Sequence, residues 1–296
     1  QNKPSGAMAR PFITHHNSLD IDVYLRIAPE TYLKRLIVGG YDRVFEFARC
    51  FRNEGISTAH LQEFLMLEYY AAYWDYEINM DFTERLLSAV FEKVLGTLRV
   101  EYMGQTIDFT PPWPRQSMRE VILEGTGIDI ETYRTKEELL SRAASQNISL
   151  AEIDVAALGW GALVDALYKK TCRPNIVSPL FLTAHPLELS PLARANDANP
   201  GVTDRFQQVV AGMEIINAYS ELVDPVDQRR RLLEQQGLRD AGDDEAMPFD
   251  EDYVRCMEYG MPPISGWGMG IDRLVALLTN EENIKNTVYF PLMRPV

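Results

Sequence analysis

The sequence predicts an α+β fold, an antiparallel β-sheet flanked by helices with a helical insertion. Three observations predict it. Strand-like alternation occupies both ends of the chain, and a purely helical stretch lies between them, so strands do not alternate with helices as in a doubly wound fold. Two pairs of alternating segments sit close enough to be hairpins: "RVFEFARCFRNE" with "EFLMLEYYAAY", and "DRFQQVV" with "MEIINAYSELV". A glycine-rich strand signal, "SGWGMG", runs straight into the apolar helix signal "IDRLVALLTN".

In order along the chain, "IDVYLRI" (Ile21–Ile27) alternates like a strand, and "APETYLKRLIVGG" reads as a helix. Pro29 lies near its first turn and Gly39-Gly40 end it. The first hairpin carries the long loop "GISTAH". Between Asp81 and Leu95, Phe82, Leu86, Leu87, Val90, Phe91, Val94 and Leu95 recur at helical spacing, and Gly96 is the stop. Residues 115–174 change character: "SMREVILEGTG", "TKEELLSRAASQN" and "GALVDALYKKTC" read as three helices, inserted into one domain that occupies the rest of 1–296. "VSPLFLTAHP" restores the strand signal, and the second hairpin turns on a tight "AG". A charged linker, "LRDAGDDEAMPFDED", precedes the final strand and helix.

The net charge of −14 argues against a general nucleic-acid coat, because non-specific affinity for nucleic acid comes from neutralising phosphates. No apolar run approaches the ~20 residues of a transmembrane helix, so no membrane association is expected. "QNKPSGAMARPF" has neither the basic nor the apolar region of a signal peptide. Cys50, Cys172 and Cys256 are odd in number and lack metal-ligand spacing; they read as buried thiols in a reducing, cytoplasmic setting.

Alternate residues of a strand share a face. Glu46, Arg52 and Glu54 fall on one side of the first arm, Phe64, Glu68 and Tyr70 on one side of the return arm, and Asn217, Tyr219 and Glu221 on one side of "INAYSEL". A solvated outer face is the plain alternative, but aromatics alternating with carboxylates on three strands favour a site. Gly266, Gly268 and Gly270 alternate before Ile271-Asp272-Arg273, which clears one strand face for close approach. Their G-x-G-x-G spacing fits neither a dinucleotide fingerprint nor a phosphate loop.

These residues carry a resemblance. "FRNEGIS…H…EF" resembles motif 2 of the class II aminoacyl-tRNA synthetases, and "GWGMGIDRL" resembles their motif 3. The longer stretches "ARPFITHHNSLDIDVYLRIAPETYLKRLIVGGYDRVFEFARCFRNEGIS", "LSPLARANDANPGVTDRF" and "EIINAYSEL" are similar to the lysine–tRNA ligase branch, from about Gly6 onward and most weakly in the helical stretch.

The resemblance implies ATP-dependent condensation of L-lysine to lysyl-adenylate, then transfer of lysine to the 3′ end of tRNA(Lys). By that likeness Arg52 grips the α-phosphate and the lysine carboxylate, a task its planar fork suits. Glu54 meets the adenine amine, His60 lies near the outer phosphates, and Phe64 and Arg273 sandwich the adenine. Glu30 and the backbone near Gly6 receive the α-ammonium. Glu221, with Tyr70 beside it, receives the ε-ammonium, while Glu68, Asn217, Tyr219 and Gly268 line the pocket. Position 219 is often Phe in the family. Such chemistry rests on positioning and charge stabilisation rather than on an acid–base nucleophile, so His15 and His16 are expected as a loop pair bonded to neighbouring carbonyls, and His185 as structural.

The family holds Mg²⁺ on ATP through two glutamates. Here one maps to Glu214 and the other to Gln207, a neutral ligand. The family's anticodon-binding OB-fold and motif 1 do not precede Gln1, so the sequence is expected to be part of a longer protein that forms a homodimer. Two other readings share the motifs: a lysyl ligase acting on a protein such as elongation factor P, and a catalytically silent binding module. Gly268, where that paralogue tends to carry Ala, speaks against the first. Retention of Arg52, Glu54, Phe64, Glu221 and Arg273 speaks against the second.

Overall fold

The computed structural model describes residues 1–55, 57–150, 158–242 and 244–293; Ile56 of the FRNEGIS motif, residues 151–157 of the helical stretch and Asp243 of the charged linker lie outside them. The elements run β1 (Ile13–His16), β2 (Ile21–Tyr24), α1 (Glu30–Val38), β3 (Arg43–Phe51), β4 (Glu63–Ala72), α2 (Tyr76–Leu95), β5 (Arg99–Tyr102) and β6 (Gln105–Asp108). There follow β7 (Arg115–Ser117), α3 (Met118–Thr126), α4 (Lys136–Ser145), α5 (Trp160–Thr171), β8 (Leu180–Thr183), β9 (Arg205–Val210) and β10 (Met213–Ser220). The chain closes with α6 (Pro225–Asp240), α7 (Glu251–Glu258), β11 (Ile264–Gly270) and α8 (Ile271–Leu278). Two compact units result: one of Gln1–Asn79, Glu101–Gln105 and Ala218–Val296, the other of Met80–Val100 and Thr106–Asn217.

In the first unit β4 runs antiparallel between β3 and β11. The register sets Val44, Tyr70 and Gly266 side by side, then Glu46, Glu68 and Gly268, then Ala48, Met66 and Gly270. One face of the three strands therefore carries the glycine row beside the Tyr70–Glu68 row, as the alternation predicts. The opposite face is aromatic and aliphatic: Tyr69 stacks on Trp267 at 4.9 Å, and its hydroxyl donates to Asn79 Oδ1 at 2.7 Å. Helix α1 buries Glu30, Leu33, Lys34 and Ile37, one stripe at i, i+3, i+4 and i+7 spacing. Helix α7 starts on an Asp250 cap, whose carboxylate accepts from the Tyr253 N–H and also pairs with Arg35 at 2.9 Å.

In the second unit β8 runs antiparallel to β9 and parallel to the short β7. Helices α3 and α4 each open on a full capping box, Ser117 with Glu120 and Thr135 with Glu138. Their apolar faces join α5, β8 and β9 in one core that includes Ile122, Leu139, Leu163, Leu167 and Leu182. Ala211 and Gly212, with φ of 49° and 71°, form the two-residue turn between β9 and β10; left-handed conformation at both positions suits the twist of a tight hairpin.

The predicted strands, the first hairpin, the three helices and the glycine-rich strand all appear, and the fold is α+β with a mostly antiparallel sheet. Four details differ. His15 and His16 stand on β1, not in a carbonyl-bonded loop: His15 Nδ1 faces Asp22 at 3.1 Å, and His16 Nδ1 accepts from the Leu19 N–H. The short β5 and β6 gave no sequence signal of their own, being four residues each. The charged linker is shorter than its composition implied, because α6 extends to Asp240 and α7 begins at Glu251. Leu238, Arg239 and Asp240 close α6, and Glu251 and Asp252 open α7 behind the Asp250 cap, so the ends of the stretch are helical. Strand β3 ends at Phe51, so Arg52 and Glu54 lie beyond it and do not extend its alternation.

Candidate active site

Within the first unit, α1, β4, the end of β10 and α7 bring buried charges together. Glu30, Glu68 and Glu221 are 5%, 4% and 2% exposed. Glu30 Oε1 accepts from the Tyr219 hydroxyl at 2.7 Å, and Glu68 Oε2 accepts from the Tyr70 hydroxyl at 3.2 Å. Gly6, at φ +88°, lies against this group: a Cβ there would meet Glu30 Cβ at 2.8 Å. Gly266 is tighter, since its Cβ would come within 2.2 Å of Glu221 Oε1 and 2.3 Å of a Tyr70 ring carbon. The glycine row clears space for a carboxylate and a phenol, the physical content of its alternation. Gly268 lies over Glu68, whose Cγ would be 3.4 Å from a Cβ.

Burial, then the neighbouring Glu30, pushes the Glu68 carboxyl up to about 8. Burial also drives Glu221 well above the carboxylate range, opposed by the Lys34 ammonium. Beyond this group, burial raises the Cys50 thiol to about 12, which leaves it unreactive. Cys172 is likewise buried, while Cys256 is half-buried.

The hairpin loop provides a second, more open cluster. Arg52 is fixed through its backbone N–H to the Gln62 carbonyl, and its guanidinium lies over the Phe64 ring at 5.0 Å; its buried Nε has no protein partner. Ser57 and His60 close the loop through a 2.7 Å contact between hydroxyl and Nδ1. Asp272, next to Arg273 at the head of α8, accepts from the Leu65 N–H at 2.7 Å and ties that helix to β4. Glu54 is half-buried in the loop. Arg52, Glu54, His60, Phe64 and Arg273 all belong to the first unit, as do Gly6, Glu30, Glu68, Tyr70, Tyr219, Glu221 and Gly268.

Gln207, Glu214 and Asn217 belong to the second. There Gln207 Nε2 donates to Glu214 Oε2 at 2.9 Å, and Arg205 Nε donates to Asn217 Oδ1 at 2.8 Å. His185 is buried in that unit, and burial followed by Arg205 holds its imidazole far below the usual value, so it is neutral. A separate hollow of about 680 Å³, lined by Asp42, Arg43, Tyr73 and Trp74, includes none of the expected site residues.

With this geometry in place, a family model described as class II tRNA synthetases (D, K and N) matches residues 1–294. The chain belongs to the class II tRNA synthetase family. Curated relatives agree within that family. One from Pelotomaculum thermopropionicum, named Lysine--tRNA ligase, is 51% identical over 292 residues, which is 99% of this chain and 57% of the relative. One of the same name from Carboxydothermus hydrogenoformans is 49% identical over 290 residues, 98% of this chain and 59% of its own length. A third, from Nostoc punctiforme, is 47% identical over 295 residues and is covered over 52% of its length. The chain thus spans between half and three fifths of these class II synthetases.

Two residues of the buried cluster escaped the sequence reading. Lys34 places its ammonium against Glu30 Oε1 at 2.5 Å and against Glu221 Oε2, and Tyr253 offers its ring at 5.9 Å from that ammonium. The signal for Lys34 was present: a lysine on the apolar stripe of α1, one turn after Glu30. Tyr253 had no such signal, because its partners are distant in sequence.

Proposed function

We propose that this chain is the adenylation centre of a lysine–tRNA ligase. It activates L-lysine with ATP and passes lysine to tRNA(Lys). The observation that carries the reading is Glu221, a buried carboxylate whose Oε1 lies against the glycine-cleared strand and makes no hydrogen bond within the protein, with the Tyr70 ring beside it. A side-chain ammonium fits that oxygen. An apolar amino acid would leave it unpaired, a penalty of about 1–3 kcal/mol or more for a charged group.

In this reading Glu30, Glu68 and the backbone near Gly6 take the α-ammonium, and Tyr219 lines the pocket. Arg52 takes the lysine carboxylate and the α-phosphate, and its orphaned Nε supports that role. Phe64, Glu54 and Arg273 hold the adenine, and His60 stands towards the outer phosphates. The carboxylate oxygen of lysine attacks the α-phosphorus; the new P–O bond forms as the bond to the β-phosphate breaks, and pyrophosphate leaves with the electron pair. The tRNA terminal hydroxyl then attacks the lysyl carbonyl and AMP departs. Arg52 stabilises the charge that develops on phosphorus.

Among the described residues no cluster of three or more His, Cys, Asp or Glu is arranged to hold an ion. The one carboxylate mapped to metal, Glu214, accepts from the Gln207 amide. Mg²⁺ therefore enters this reading as part of the Mg–ATP substrate, and no step is routed through a protein-bound ion.

A homodimer is part of the proposal. Strand β3 is the outer strand beside β4, and Phe45 and Phe47 on it are 70% and 58% exposed. Such an apolar edge supports pairing with a second copy. No helix among the described residues is long and apolar enough to cross a membrane; a cytoplasmic location accords with three thiols that form no disulfide. The test is ATP–pyrophosphate exchange with each amino acid in turn, followed by transfer of labelled lysine to tRNA. Exchange that needs lysine, with label ending on tRNA, supports the proposal. Exchange with another amino acid, or none, overturns it.

A further inference from the structure

The least expected group in the molecule is a fully buried ammonium. Lys34 is 0% exposed, and its Nζ touches Glu30 Oε1 and Glu221 Oε2. Tyr70, Tyr219 and Tyr253 place their rings 5.8, 5.6 and 5.9 Å from it. Burying a lysine this deeply costs several kcal/mol unless it is paired, so a plain core position would carry Leu or Met.

The pairing is also lopsided. Glu30, Glu68 and Glu221 surround Lys34, and Arg52 acts on Glu68, so the ionised carboxylates outnumber the cations that face them. Glu221 spends Oε2 on Lys34 and keeps Oε1, the oxygen against Gly266, without a hydrogen-bond partner. A ligand with two ammonium groups brings the missing charge, and Arg52 stands ready for the carboxylate of such a ligand.

We propose that Lys34 is a positioning residue of the amino-acid pocket: a built-in third ammonium that holds one oxygen each of Glu30 and Glu221, leaves Glu221 Oε1 facing the glycine row, and so sets the pocket to accept a doubly ammonium-bearing amino acid. This rests on the lysine reading given above. Lys34 touches no substrate in this scheme; it acts through Glu221 and Glu30.

The charged and titratable groups that face the cluster come from every element around it. They are Glu30 and Lys34 on α1, Glu68 and Tyr70 on β4, and Glu46 and Cys50 on β3. Arg52 follows β3, Tyr219 and Glu221 belong to the end of β10, and Tyr253 lies on α7. Burial works against the Lys34 ammonium, but Glu221 and then Glu30 outweigh it and hold its pKa well above the usual value. Lys34 in turn lowers the cost of ionising Glu221, which burial raises.

The main test is Lys34→Met in lysine-dependent ATP–pyrophosphate exchange across pH. Without the ammonium, a proton takes its place on Glu221, so the lysine KM rises by about 100-fold near neutral pH. The defect shrinks as pH rises and that proton leaves, while kcat and the KM for ATP change less than about threefold. A loss that is the same at every pH, or that falls on kcat, contradicts the proposal and marks Lys34 as packing alone. The second measurement needs no variant and holds if Lys34→Met does not fold. Calorimetry of lysine binding to the unmodified protein, in buffers of different ionisation heat near neutral pH, is expected to show release of about one proton at most, from Glu68, because the Lys34 ammonium already stands in for a proton on Glu221. Release of about two protons or more overturns the proposal. Absence of any lysine-dependent exchange in the unmodified protein would instead defeat the ligase reading itself.

Discussion

The buried cluster of Glu30, Glu68, Glu221 and Lys34 and the loop of the β3–β4 hairpin meet at β4, yet they are built in opposite ways. Glu30, Glu68, Glu221 and Lys34 are buried, paired with one another or with tyrosine hydroxyls, and carried on helices and strands. Ser57 and His60 are exposed, lie in the loop between β3 and β4, and meet through a contact between hydroxyl and Nδ1. The difference teaches where selectivity and where closure reside. A buried carboxylate in fixed geometry punishes the wrong ligand, because an unpaired charge there is costly. Under the proposed function, a loop with exposed side chains beside Arg52 suits a group that must admit ATP and release pyrophosphate.

Several substitutions would break or sharpen this contrast. Gly266→Ala should have the largest effect, because its Cβ would fall 2.2 Å from Glu221 Oε1 and 2.3 Å from the Tyr70 ring. Overpacking of this kind costs about 1–3 kcal/mol in stability, and displacement of Glu221 should raise the lysine KM by more than about 100-fold. Thermal unfolding and exchange kinetics on one preparation would read both. Glu221→Gln should weaken lysine by about 10- to 100-fold, the equivalent of one charged hydrogen bond of about 1.5–3 kcal/mol, and leave the KM for ATP alone. An unchanged lysine KM would remove Glu221 from the pocket.

Arg52→Lys keeps the charge but loses the fork and the flat contact with Phe64. Its cost should fall on kcat, by about 10²-fold, measured at saturating lysine and ATP. A defect confined to the lysine KM would move Arg52 from the chemistry to the pocket. Glu68→Gln reads burial through pH. The folded pKa of Glu68 is raised to about 8, so its burial is harmless while protonated and becomes destabilising as pH rises from the unfolded carboxyl range towards 8. The variant should therefore melt higher than the parent at alkaline pH and close to it near pH 4.5, the ordinary carboxyl value. Equal melting at both ends would mean that Glu68 stays solvated. His60→Ala should do least, a few-fold rise in the KM for ATP, since the imidazole is exposed and meets Ser57 of its own loop.

Legibility followed the same divide. The strand alternation was enough to place Tyr70 and Glu68 beside Gly266 and Gly268, because a two-residue period survives any tertiary context. Motif spacing picked out the hairpin, Arg52 and Phe64, whose 5.0 Å stacking the structure contains. What the sequence hid were partners contributed from afar. Tyr253 reaches the cluster from α7, more than 200 residues after Lys34, and no local period announces it. Alternation also failed beyond Phe51, where β3 stops and Arg52 is set by the Gln62 carbonyl instead. The charged stretch Leu238–Asp252 before β11 misled at its two ends, which close α6 and open α7 behind the Asp250 cap, because composition alone does not separate a helix end from a linker.

The central claim is that one buried carboxylate selects an amino acid by its distal ammonium. Norleucine, which keeps the carbon skeleton of lysine and lacks that ammonium, tests it most directly when the two are compared side by side in ATP–pyrophosphate exchange. The account predicts exchange with lysine and a kcat/KM for norleucine lower by at least about 10³-fold. Comparable exchange with both would contradict it.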